Sequence, residues 1–220
     1  MRRVLLFVAL LGTAAAAHSA AAQDSAAMAG LDRASAAQVA RIVDVTRSRG
    51  LPVDPILSKV RFALVVHAPP AKIVATAQAV ATRLEAARDV VAPHASPSDI
   101  AAGEEALSFD VPRDVLRKIV HASPDRPVAV PIGVLTQLVV SGVPAAKAGD
   151  IVTELIKRGA TPAQLVALGN DVNADVQSGA KAGESADIRM RGLTPLLAPT
   201  SAGTQGPAAG LQSGDHPRKP

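Results

Sequence analysis

The chain has 220 residues but no cysteine, no tryptophan, no tyrosine and only three phenylalanines. Without cysteine it is not a disulfide-stapled scaffold, a thiol enzyme or a zinc finger. A β-sandwich leans on aromatic and β-branched strands, so the near absence of aromatics argues against that architecture. It also removes the stacking platforms that sugar and single-stranded nucleic-acid ligands use. Charge is sparse as well, at 19% of residues, with 23 basic against 19 acidic side chains. Between Leu31 and Gly179 the balance is 16 basic to 15 acidic, so the excess sits at the ends. A nucleic-acid binder shows a concentrated basic patch, and none is present here. No nucleic-acid partner is expected.

What the chain has in quantity is alanine, 45 residues of it, together with 17 prolines and 16 glycines. Alanine and leucine at such frequency favour helix. The first 22 residues have the plan of a secretory signal peptide. Arg2 and Arg3 form a positive head, Val4 to Leu11 an apolar run, and Ala20-Ala21-Ala22 a small-residue site before Gln23. Cleavage is expected between Ala22 and Gln23. The apolar run is much shorter than the roughly 20 residues a membrane span needs. Without a cysteine at the cleavage site the product is not a lipoprotein. The expected destination is the periplasm or the exterior, with no membrane span after processing.

Residues 23–33 are small and polar and are expected to be flexible. Residues 34–179 are expected to form one all-helical domain. Residues 180–220, rich in Pro, Gly, Ser and Ala, are expected to be a disordered tail with at most a short helix near 185–191, because so few apolar groups cannot offset the entropy of ordering them. Within the domain, Gly50-Leu51-Pro52, Gly142-Val143-Pro144 and Gly159-Ala160-Thr161-Pro162 repeat one punctuation. Gly ends a helix in the left-handed conformation, and Pro opens the next. Ser96 to Asp99 and Thr161 to Gln164 have the spacing of reciprocal N-caps. These marks predict eight short helices, over 34–49, 55–67, 70–91, 97–108, 112–121, 130–141, 144–158 and 162–178. Short connections make neighbours antiparallel, as a compact bundle or an irregular α-solenoid-like array. The third helix carries the clearest stripe, Ile73, Ala77, Val80, Leu84, Ala87 and Val91.

Gly50-Leu51-Pro52 with Pro55 and Lys59, then Ala129-Val130-Pro131 with Leu135 and Leu138, then Gly142-Val143-Pro144, resemble the helix-junction motifs of a group of exported bacterial all-helical proteins. The resemblance spans roughly residues 40 to 178. It implies a fold and no activity. The chain departs from the group's pattern at Ala68 and Asp110, where the group has Gly.

Chemical motifs are few. His67 and His94 flank the third helix, which at 1.5 Å per residue holds them about 30 Å apart. His94 and His121 fall at one end, near Asp99 and Asp125. A shared metal or proton site there is the alternative to histidines that cap helix C-termini, and capping is the expectation. Asp171-Val172-Asn173-Ala174-Asp175 opens like a calcium loop but lacks the Gly at position 6 and the Glu at position 12, where Val176 and Ala182 stand. Glu104 and Glu105 are adjacent and diverge on a helix. Glu85 and Asp89 share a face with Arg88 beside them. Arg113, Arg117 and Lys118 surround Asp114 on a solvated face. Ala148-Gly149-Asp150 is not followed by the Lys-Ser/Thr of a phosphate loop. No catalytic, cofactor or metal residue is assigned, and no cofactor is expected. The function expected is an exported, non-enzymatic helical scaffold that binds a protein or peptide in the cell envelope. Two alternatives remain: a small-ligand binder or hydrolase whose site assembles only in three dimensions, and a structural envelope component.

Overall fold

The computed structural model describes residues 24, 27–91, 95–124 and 126–197. Residues 1–22, expected to be a signal peptide, the Ala22-Gln23 junction, His94, Asp125 and the chain from 198 onward lie outside the described residues.

The described chain is all-helical: α1 Arg33–Ser48, α2 Asp54–Val65, α3 Pro70–Val91, α4 Pro97–Ser108, α5 Arg113–Ala122, α6 Ala129–Val140, α7 Ala145–Lys157, α8 Pro162–Gln177 and α9 Ala182–Leu193, closed by a 3₁₀ turn at Thr194–Leu197. Eight of these fall where the sequence places them. The reason is local. Gly50, Gly142 and Gly159 take the left-handed conformation. Behind each, two backbone bonds close a Schellman motif, as from Gly142 N–H to the Val139 carbonyl and from Val143 N–H to the Leu138 carbonyl. The residue after each glycine, Leu51, Val143 or Ala160, is buried. Ser96 and Thr161 form capping boxes with Asp99 and Gln164.

The junctions that lack glycine adopt the same turn. Asp110 stands at φ 58° and His67 at φ 54°. The departure at Ala68 is therefore carried one residue earlier, by His67, while Ala68 donates to the Ala63 carbonyl as the closing bond.

Both expected boundaries of the domain move outward. The segment 23–33 was expected to be flexible, yet α1 begins at Arg33, Ala27 is buried, and Asp24 pairs with Arg47 at 2.5 Å. The tail was expected to be disordered from 180, yet α9 forms and is docked. Ala186 is fully buried and Ser185 nearly so. Lys147 of α7 donates to the Gly183 carbonyl at 2.9 Å and to Asp187 at 2.7 Å. Arg189 and Ser185 bind Asp175 of α8. Small residues and partners on other helices hold α9 in place, and an apolar count along the chain registers neither.

Alternate helices stack into two rows. One row runs α3, α5, α7, α9 and the other α4, α6, α8. The rows meet through α3–α4, α5–α6, α6–α7 and α8–α9. This is the contact pattern of an irregular α-solenoid. Its core includes the predicted stripe of α3, buried from Ile73 to Val91, with Leu116, Leu135 and Leu155 from the following helices. Three glycines inside helices let neighbouring helices approach. A Cβ at Gly149 would overlap the Val115 side chain, one at Gly103 would lie 3.1 Å from the Ala87 Cβ, and one at Gly169 would press on Gln137.

Candidate functional site

The stacking leaves a gap beside α2. α1 and α2 both pack on α3, and α2 has no extensive contact with α4. Between α2, α4 and the start of α6 lies an open groove of about 720 Å³. Pro52, Pro55, Ser58 and Lys59 form its α2 wall. The α4 wall shows Ser98, Ala101, Ala102 and Glu105, a set at helical spacing on the side of α4 that borders the groove. The floor is made by Ala129 and Gly133 of α6. Gly133 differs from the three packing glycines, because a Cβ there would meet nothing within 4 Å. A glycine inside a helix costs about 1 kcal/mol relative to alanine. At Gly133 no contact with the described residues offsets that cost.

The groove carries charge. Glu104 is buried, with only 3% of its side chain exposed, and accepts from Arg83 Nε of α3 at 2.8 Å. Glu105 is exposed on the rim. The adjacent pair thus diverges as the helix geometry demands, with one carboxylate consumed in a buried ion pair and one left at the surface. Beyond the α2 wall the same face of the helix stays apolar and bare: Phe62 is 65% exposed and Val65 74%.

A second cluster, lying between α5 and α7, brings together Lys118, His121, Asp150, Thr153, Glu154 and Lys157 around about 540 Å³. Its charges are largely matched: Lys118 pairs with Asp150 at 3.1 Å and Glu154 with Arg158 at 2.6 Å. The Thr153 hydroxyl, buried at the base, has no hydrogen-bond partner. His121 lies in the last turn of α5, and His67 follows α2 as a turn residue. Because His94 and Asp125 lie outside the described residues, the convergence of His94 with His121 is not described. Asp99 is committed elsewhere. Its carboxylate accepts from Ser96 N–H and Ser96 Oγ at the start of α4, and from Val128 and Ala129 N–H at the start of α6, at 2.7–3.1 Å. It caps two helices at once. Among the described residues, no three His, Asp or Glu side chains are grouped to hold a metal ion.

The acidic pair of the calcium-like segment has a different use. Arg189 of α9 reaches both carboxylates, at 3.4 Å to Asp171 and 2.6 Å to Asp175. The hydrogen bonds from Arg189, then that from Ser185, hold the Asp175 carboxyl down at about 2. Glu85 pairs with Arg49 rather than with Arg88, which donates to the Arg49 carbonyl instead. Gly149 serves the packing of α7 on α5.

Sequence reasoning marked Pro52, Pro55, Lys59 and Ala129 only as junction residues. It missed that they share a groove with Gly133, for which no repeat or cap gave a signal. No helix among the described residues is long and apolar enough to cross a membrane. Comparison of the chain with protein-family models, with curated proteins and with solved structures gives no match.

Proposed function

We propose that this chain is an exported, non-enzymatic helical scaffold that binds a protein through the groove between α2, α4 and α6. The observation that carries the reading is Gly133. It holds the groove floor open at a cost to its own helix, and no packing partner among the described residues explains it. A helical or extended segment of a partner has the shape such a cleft between helices takes. The bare Phe62 and Val65 beside it give that partner apolar surface to cover.

A photo-reactive residue placed at position 59, on the groove wall, tests the reading in living cells. It should yield a discrete protein adduct that disappears when Gly133→Leu fills the floor. The same residue at position 181, at the exposed start of α9, should yield none. No adduct from position 59, or equal adducts from both positions, refutes the groove as a docking site. Export rests on the residues before Gln23. Intact mass of the chain from the envelope fraction should begin at Gln23, and retention of residues 1–22 there would refute processing.

A further inference from the structure

We propose that the groove is filled by α2 of a second copy of this chain, the two copies being related by a two-fold axis. This rests on the protein-binding reading of the same groove and names its partner. The residues along α2 are self-complementary. Pro52, Pro55, Ser58 and Lys59 line the groove, and Phe62 and Val65 continue that line for two further turns. When two such helices pack antiparallel about the point between Ser58 and Lys59, Phe62 of each falls opposite Pro55 of the other, and Val65 reaches past the other's first turn. The exposed knob of one copy thereby enters the groove of its partner, whose volume of about 720 Å³ leaves room for a phenyl ring. That reciprocal relation is what a two-fold interface requires.

Charge follows the same register. The antiparallel pairing brings Arg61 of one copy within a turn of Asp54 of the other. Among the described residues neither takes part in an ion pair, and Arg61 reaches only Ser58 of its own helix. A second copy covers the groove and the stripe of both molecules in one event and sets each Arg61 near an Asp54, while the two Lys59 side chains, which meet near the axis, are long enough to turn their ammonium groups to water.

Sedimentation velocity of the purified full chain, from micromolar to hundreds of micromolar, tests the pairing. The expected result is a reversible species of twice the chain's mass. Phe62→Ser should weaken association about tenfold or more, the loss of one central apolar anchor. Its helix content by circular dichroism should be unchanged, because the side chain already faces water. Arg61→Asp and Asp54→Arg should each weaken association, and the double swap should restore it, which only this register predicts. A monomer at every concentration, a dimer indifferent to Phe62→Ser, or a double swap no better than its parents overturns the proposal. If the monomeric chain still gives a foreign adduct from position 59, the two-fold pairing falls and the protein-binding reading stands. If it gives neither dimer nor adduct, both fall.

Discussion

Adding one methyl group at position 133 separates a groove floor from a packing contact. In Gly133→Ala the new Cβ meets nothing within 4 Å, so no steric cost enters. What remains is helix propensity inside α6, worth about 0.8–1.0 kcal/mol in favour of alanine. For a chain of this size a gain of that magnitude raises Tm by about 2–4 °C. The control is Gly149→Ala in α7, where the same gain is opposed by a Cβ driven into Val115. Over-packing of that kind costs about 1–3 kcal/mol, so the net effect runs from near zero to about 2 kcal/mol of destabilisation. Urea unfolding followed by circular dichroism measures both, and unchanged m-values would assign the shifts to stability. At concentrations where the chain is monomeric, the expected order of stability is Gly133→Ala, wild type, Gly149→Ala. A monomeric Gly133→Ala chain no more stable than wild type would mean that the space over the floor is filled in solution by the chain itself. The groove would then be lost as a site.

Four further outcomes follow from the packing. Thr153→Val replaces an unpartnered buried hydroxyl by an isosteric methyl; an unmade hydrogen bond there costs about 1–3 kcal/mol, so the urea midpoint should rise, and a fall would show that the hydroxyl has a partner in solution. Asp99→Ala removes the reciprocal half of the α4 capping box and the acceptor of two N–H groups at the start of α6, and should cost about 3 kcal/mol or more, against about 1 kcal/mol for Ser96→Ala; equal costs by the same assay would sink the two-helix role. Asp110→Gly relieves a left-handed aspartate at φ 58° and should stabilise by about 0.5–1 kcal/mol, whereas a loss would show that the Asp side chain supports the turn. Asp175 is the acid-sensitive link of α9: its carboxyl is held at about 2 in the folded chain against 3.8 ordinarily, so its contribution is present above about pH 4 and lost as pH falls towards 2. Comparing urea midpoints near pH 5 and near pH 2.5, the drop should be smaller in Arg189→Gln than in wild type; an equal drop would place the acid sensitivity elsewhere.

The sequence by itself determined the helices and their ends. Those features are written within a few residues of where they act: Gly or Pro at a junction, Ser96 with Asp99, Thr161 with Gln164, and apolar residues three and four apart along α3. Backbone geometry reads such signals without help from the rest of the chain, which is why eight helices fall where expected. Even the Asp110 junction keeps its turn, because aspartate tolerates the conformation that glycine prefers.

Only the tertiary structure decided what those helices touch. α9 looks too poor in apolar residues to order itself, yet Ala186 is fully buried and Lys147, Asp175 and Ser185 bind across helices. The partners of Arg189 and Asp99 lie 14 and about 30 residues away, beyond any local pattern. The same holds for Gly133. Gly103, Gly149, Gly169 and Gly133 read alike along the chain, and only the distance from each absent Cβ to its neighbours shows that three of them close a contact and the fourth keeps one open. The scarcity of aromatic residues acquires its meaning in this way too. Of the three phenylalanines, Phe62 and Phe109 are exposed, and Phe62 stands beside the groove, a juxtaposition that depends on how α2 leans on α3 and away from α4.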